Sequence, residues 1–125
     1  MRTTALSMFD EMPSADRVVL QEFVRNDQRI GGVTVFRFSD MAQRNEAYAF
    51  VSAGMGRDMQ ERDDFGERAV ATLIDATILA IRLRLADVAF VRCTALAHIR
   101  MGNEDPEAAL AYAQRLDVRL REAVC

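Results

Sequence analysis

His98 is the sole histidine of the chain and Cys93 one of its two cysteines, and they stand five residues apart. A thiol becomes a nucleophile only when a base lies within hydrogen-bond reach. On a strand, residues five apart face opposite sides, and on a helix they lie about 140° apart around the axis. Neither geometry makes a Cys–His dyad, so His98, in its apolar surroundings, reads as a hydrogen-bonded structural histidine. One histidine with Cys93 and Cys125 also falls short of the four ligands of a Cys/His zinc site. The sequence contains no G-x-S-x-G, P-loop, H-E-x-x-H or G-x-G-x-x-G. No catalytic residue, metal or cofactor is assigned on this basis, and the chain reads as non-catalytic.

Three weaker constellations remain. Gly54-Met55-Gly56 has the spacing to approach a phosphate, but it opens a charged, glycine-bearing stretch that reads as a linker. Asp58, Glu61, Asp63 and Asp64 offer oxygen ligands for a hard cation, yet they do not follow an EF-hand spacing, and Arg57, Arg62 and Arg68 neutralise them. Arg82, Arg84, Arg92, Thr94 and His98 form the candidate ligand-binding set, an anion pocket that Arg100 could also line and that competes with structural salt bridges from these arginines to Asp75 and Asp87.

Charge excludes some partners. All sixteen basic residues are Arg, which fits a GC-rich, bacterial genome. The net charge is −3. Residues 1–64 carry 8 Arg against 11 acids and residues 65–125 carry 8 against 8, so neither half has a basic footprint for nucleic acid. The long apolar run from Ala71 to Ile99 is interrupted by Asp75, Arg82, Arg84, Asp87 and Arg92. Each would cost roughly 2.5–3.5 kcal/mol at the centre of a bilayer, against about 0.3–0.6 kcal/mol gained per large aliphatic residue. The run is therefore expected inside protein, with Leu73, Ile74, Ile81, Val91 and Cys93 buried and no membrane partner. The N-terminal residues carry acids where a signal peptide needs an apolar run, which predicts a cytoplasmic protein. Cys125 ends the chain and Cys93 sits among apolar residues, so no disulfide framework is expected.

The elements that would position these residues follow from periodicity. Pro13 and Ser14 open a stretch to Gly32 with Val19, Leu20, Phe23 and Val24 at helical spacing, predicting an amphipathic helix. Val33–Phe38 alternates as a strand, with Thr34, Phe36 and Phe38 on one face. Residues 41–53 are ambiguous. Asp40 and Gln43 resemble a capping box, but a lone strand needs a partner, so a hairpin with Ala47–Ala53 is favoured. Residues 67–84 read as the principal core helix, Asp64, Arg68, Asp75 and Arg82 on one edge and Val70, Leu73, Ile74 and Ile81 opposite. Residues 88–99 read as a strand after a short break, with Arg92, Thr94 and His98 on one face, the alternative being more helix. Asp105 and Pro106 start a last helix with an Ala109, Ala113, Leu116 and Leu120 stripe and an Asp117/Arg121 pair.

The expected fold is α+β, a small antiparallel sheet flanked by three main helices, or alternatively mostly α-helical. Residues 1–12 are expected as a flexible N-terminal segment and 13–125 as a single globular domain. Half the residues are hydrophobic, and seven Met join the Ala/Leu stripe of the last helix. Together with Met8, Phe9 and Met12 they predict a homodimer that engages a protein partner. In size, charge and element order the profile resembles that of bacterial secretion chaperones. The expected function is a small acidic chaperone, adaptor or regulator; the alternative is a small-molecule or anion-binding protein or enzyme using the Arg/His pocket.

Overall fold

The computed structural model describes residues 2–6 and 15–125. The positions of Met8, Phe9, Met12, Pro13 and Ser14, to which the sequence assigned an association role and a helix start, lie outside the described residues. Among the described residues the chain forms β1 (Arg2–Leu6), β2 (Arg17–Arg25), β3 (Gln28–Arg37), α1 (Met41–Ala53), β4 (Gln60–Arg62), β5 (Arg68–Ile78), β6 (Ile81–Arg92), β7 (Ala95–Gly102) and α2 (Pro106–Val124). The strands make one antiparallel sheet in the order β1-β2-β3-β7-β6-β5-β4.

The α+β class holds, but the small sheet with three main helices does not, and neither does the mostly helical alternative. Two expected helices are hairpins. Residues 17–37 fold back at Asn26 and Asp27, both at positive φ (51° and 62°), the backbone of a primed turn that Asn and Asp tolerate. Residues 68–92 fold back at Leu79 and Ala80, again both at positive φ (51° and 66°). These two residues gave no turn signal, because such conformations are normally occupied by Gly, Asn or Asp. The favoured strand over Ala47–Ala53 is instead the second half of α1, whose N-cap Asp40 accepts a hydrogen bond from the Ala42 N–H (2.7 Å). Residues 88–99 are not one strand but the end of β6, a turn at Cys93 and Thr94, and the start of β7. The element order behind the chaperone likeness changes accordingly.

The sheet is covered on both faces, and this is why its central strands lack polar alternation. On one face, Val33, Val88, Phe90 and Ile99 pack under α2 with Ala109, Leu110, Ala113 and Leu120. On the other, Phe36, Phe38, Ala89, Val91 and Leu96 pack under α1 with Ala47, Tyr48 and Val51. Consecutive residues such as Ala89 and Phe90 thus serve opposite cores, each fully buried. Alanines at 69, 71, 86, 95 and 97 allow α2 to lie close to the strands. Gly31 serves the sheet itself, since a Cβ there would sit 2.1 Å from the Arg100 carbonyl oxygen on β7. Of the five residues expected to be buried, Val91 is, Leu73, Ile74 and Cys93 are half-buried, and Ile81 is 70% exposed.

Cys93 and Cys125 form a disulfide, against the sequence expectation. Cys125 does not fray because α2 is anchored by buried Asp117 and Leu120, which bring the chain end back to the β6–β7 turn with a Cα–Cα separation of 5.6 Å. The bridge joins residues 32 apart, so its loss should lower stability by about 2–4 kcal/mol through the added freedom of the unfolded chain. Chemical denaturation of Cys125→Ser beside the oxidised wild type measures this. Equal midpoints would show that the bridge does not constrain the unfolded chain.

Candidate functional site

Two features of the α1 side of the sheet carry groups that the core does not use. The first is a cleft. α1 is fixed near its start by buried Arg44, whose guanidinium donates to the Cys93 carbonyl (2.5 Å), to Glu67 Oε1 (3.2 Å) and to Asn45 Oδ1 (2.7 Å). Burial by itself would raise the Glu67 carboxyl, but bonds from the Cys93 N–H and Arg44 outweigh it and hold the carboxyl below its ordinary range. With that end clamped, the last turn of α1 stands over the sheet and leaves a cavity of about 500 Å³, bounded by Phe50 and Val51 of α1 and by Phe36, Asp87, His98 and Arg100 on the strands. His98 Nε2 lies 2.5 Å from Asp87 Oδ1, and Arg100 Nε is 3.9 Å from Asp87 Oδ2. A second cavity of about 250 Å³ shares His98 and Arg100 and continues over β3 past Thr34 to Arg29.

The second feature is an arm. β4 pairs with β5 only as far as Ala71, and β7 pairs with β6 only from Leu85 onward. Residues between these limits run on as a two-stranded ribbon with no strand on either side among the described residues. Register sorts its side chains cleanly. Ile74 faces Leu85, Ala76 faces Leu83 and Ile78 faces Ile81 on one side, whereas Asp75 faces Arg84 and Thr77 faces Arg82 on the other. Asp75 bonds Arg82 through both oxygens (2.9 and 3.0 Å), and this bond holds the carboxyl below its ordinary range. The apolar side is left open: Ile78 is 58%, Ile81 70% and Leu83 46% exposed, beside Leu79 at 92% in the turn.

The structure distributes the candidate set Arg82, Arg84, Arg92, Thr94 and His98 over four places. Arg82 and Arg84 lie on the polar side of the arm. Arg92 lies on the α2 face, bonded to Asp117 through two nitrogens (2.7 and 2.9 Å). Thr94 is in the β6–β7 turn, where its carbonyl accepts the Phe38 N–H (2.9 Å) and its buried hydroxyl has no hydrogen-bond partner among the described residues. His98 alone of the five lines the cleft. The turn at Cys93 and Thr94 reverses the chain, which puts Arg92 and His98 on opposite faces. The cleft residues Phe36, Phe50 and Arg29 were not singled out, though His98 and Arg100, two apart on one strand, carried the signal for a shared face. Of the linker acids, Asp64 is held by Arg62 (2.9 and 3.1 Å) and Gln114 (3.0 Å).

No protein-family model matches the chain, and neither a curated protein nor a solved structure is found similar to it. Among the described residues, no helix is long and apolar enough to cross a membrane.

Proposed function

We propose that the protein is a non-catalytic interaction module, a small chaperone, adaptor or regulator, that works as a homodimer sealed by the β5–β6 arm. The observation that carries this reading is the amphipathic ribbon, with Ile78, Ile81 and Leu83 open on one side and the charged Asp75, Arg82 and Arg84 on the other. A two-stranded ribbon alone is marginal in water, and gains stability when its apolar side is covered. A second copy covers it best. Two identical apolar faces stacked about a twofold axis bury the same patch twice, at ordinary sheet-stacking distance, while the charges stay in water on the outer sides.

The tight ion pairs Arg44–Glu67 and Arg92–Asp117 fit this reading, because each fastens a helix to the sheet rather than lining an open site. The Cys93–Cys125 disulfide favours an oxidising compartment, so a cytoplasmic location would require the pair to be reduced there, and alkylation of the native protein before lysis distinguishes the two.

Sedimentation equilibrium at micromolar concentration tests the dimer. The wild type should run at twice the 14.0 kDa chain mass, and Ile81→Lys/Leu83→Lys should run as a folded monomer by circular dichroism. Both positions are open to solvent, so the charges are tolerated in a monomer but not in an apolar seam. A wild-type monomer, or a dimer that survives both lysines, overturns the proposal.

A further inference from the structure

We propose that the cleft under the end of α1 binds a small amphipathic carboxylic acid, its carboxylate between Arg29 and Arg100 and its apolar body along Phe36 and Phe50. This goes beyond the arm-mediated dimer and stands on different residues. The two cavities meet at His98 and Arg100, and their chemistry differs in a way that orients a ligand. The larger one, about 500 Å³, lies within the range of small-molecule sites and is walled by Phe36, Phe50 and Val51, with Phe50 64% exposed at its rim. The smaller one is lined by Arg29, Thr34, His98 and Arg100, with no acidic side chain among its described lining residues.

The cations there are loosely held. Arg29 Nε is 3.8 Å from Glu22 and Arg100 Nε 3.9 Å from Asp87, and their side chains are 59% and 71% exposed. Arg82 and Arg92, by contrast, make paired bonds of 2.7–3.0 Å to their carboxylates. Guanidinium groups free to turn can meet an incoming carboxylate through charge-assisted bonds. Asp87 works against an anion in the larger cavity, but it already engages His98 and does not line the smaller one. The carboxylate therefore belongs at the Arg29 end and the apolar body at the α1 end. Gly32, at the edge of this cavity, serves the sheet, since a Cβ there would fall 2.8 Å from the Gln21 carbonyl oxygen on β2.

Calorimetric titration of the full chain with octanoate, and with octanol as the uncharged match, tests this. Octanoate should bind saturably at one site per chain and at least about ten-fold more tightly than octanol, the worth of one charge-assisted contact. Arg100→Gln and Arg29→Gln, both at exposed side chains, should each erase most of that preference. Phe50→Ala should weaken both probes together. Absence of saturable octanoate binding, equal binding of octanol, or affinities indifferent to Arg100→Gln and Phe50→Ala would each overturn the proposal. Sedimentation of the same variants should show an unchanged oligomeric state, which separates failure here from failure of the arm.

Discussion

Phe90→Ala should lower the free energy of unfolding by about 3–5 kcal/mol, the range for a large aromatic removed from a packed core. Phe90 is fully buried at the centre of β6 and meets Phe65 edge-on at 5.4 Å between ring centroids. Its surroundings have little room to collapse into the space it leaves. The α2 residues Ala109 and Ala113 that cover this face are already small, and the backbone of Gly66 is held against the ring: a Cβ there would fall 3.0 Å from Phe90 Cβ. The cavity would persist, and its cost adds to the lost transfer energy. Urea denaturation read by circular dichroism measures the change, with an unaltered slope showing that only stability moved. A cost below about 1 kcal/mol would mean that the α2 face of the sheet is not packed as described.

That same residue shows why the sequence was legible in part. Val33–Phe38 was legible as strand because β-branched and aromatic residues fill it, although both its faces are buried, Val33 under α2 and Phe36 and Phe38 under α1, and β3 begins earlier, at Gln28. In β6 and β7 both faces are buried, so Val88, Ala89, Phe90 and Val91 read as a featureless apolar run that a helix accommodates equally well. The ends of elements failed for a different reason. Leu79 and Ala80 turn the chain at positive φ without a Gly, Asn or Asp to announce it, so β5 and the first residues of β6 read as one helix. Yet Ile81-Arg82-Leu83-Arg84-Leu85 carried a strict two-residue alternation, the mark of a strand with one polar side. The start of α2 was easier, because Asp105 caps through its own side chain; the same chemistry at Asp40 was visible but lost to the expected strand's need for a partner. For the cleft, His98 was identified as a residue of interest. Its neighbours could not be, since Arg29 and Phe36 come from β3, Phe50 from α1 and Asp87 from β6, three elements that only the sheet order brings together.

Asp117→Ala should cost about 3–5 kcal/mol at neutral pH, because it leaves a half-buried guanidinium and a backbone N–H without their acceptor. Asp117 is 4% exposed on α2, and it accepts two bonds from Arg92 (2.7 and 2.9 Å) and one from the Gly66 N–H (2.9 Å). It therefore joins three elements: α2, the end of β6 and the loop before β5. Burial acts to raise the carboxyl, but the Arg92 bonds, the Gly66 N–H and the charges of Arg92 and Arg121 outweigh it, and the net direction is down. The same bond moves Arg92 up, as a single favourable pair requires. A carboxyl lowered in the folded state contributes its full stability above its unfolded value, near 4, and loses it as pH falls through the folded value. The gap between wild type and Asp117→Ala should therefore be widest at pH 6–7 and narrow steadily below about pH 4. The wild type should still lose stability in acid without this contribution, since the Glu67 and Asp64 carboxyls are lowered as well. Denaturant midpoints of both proteins across pH 2.5–7 provide the comparison. A gap that stays constant with pH would show that packing of the side chain, and not its charge, is what α2 gains from Asp117.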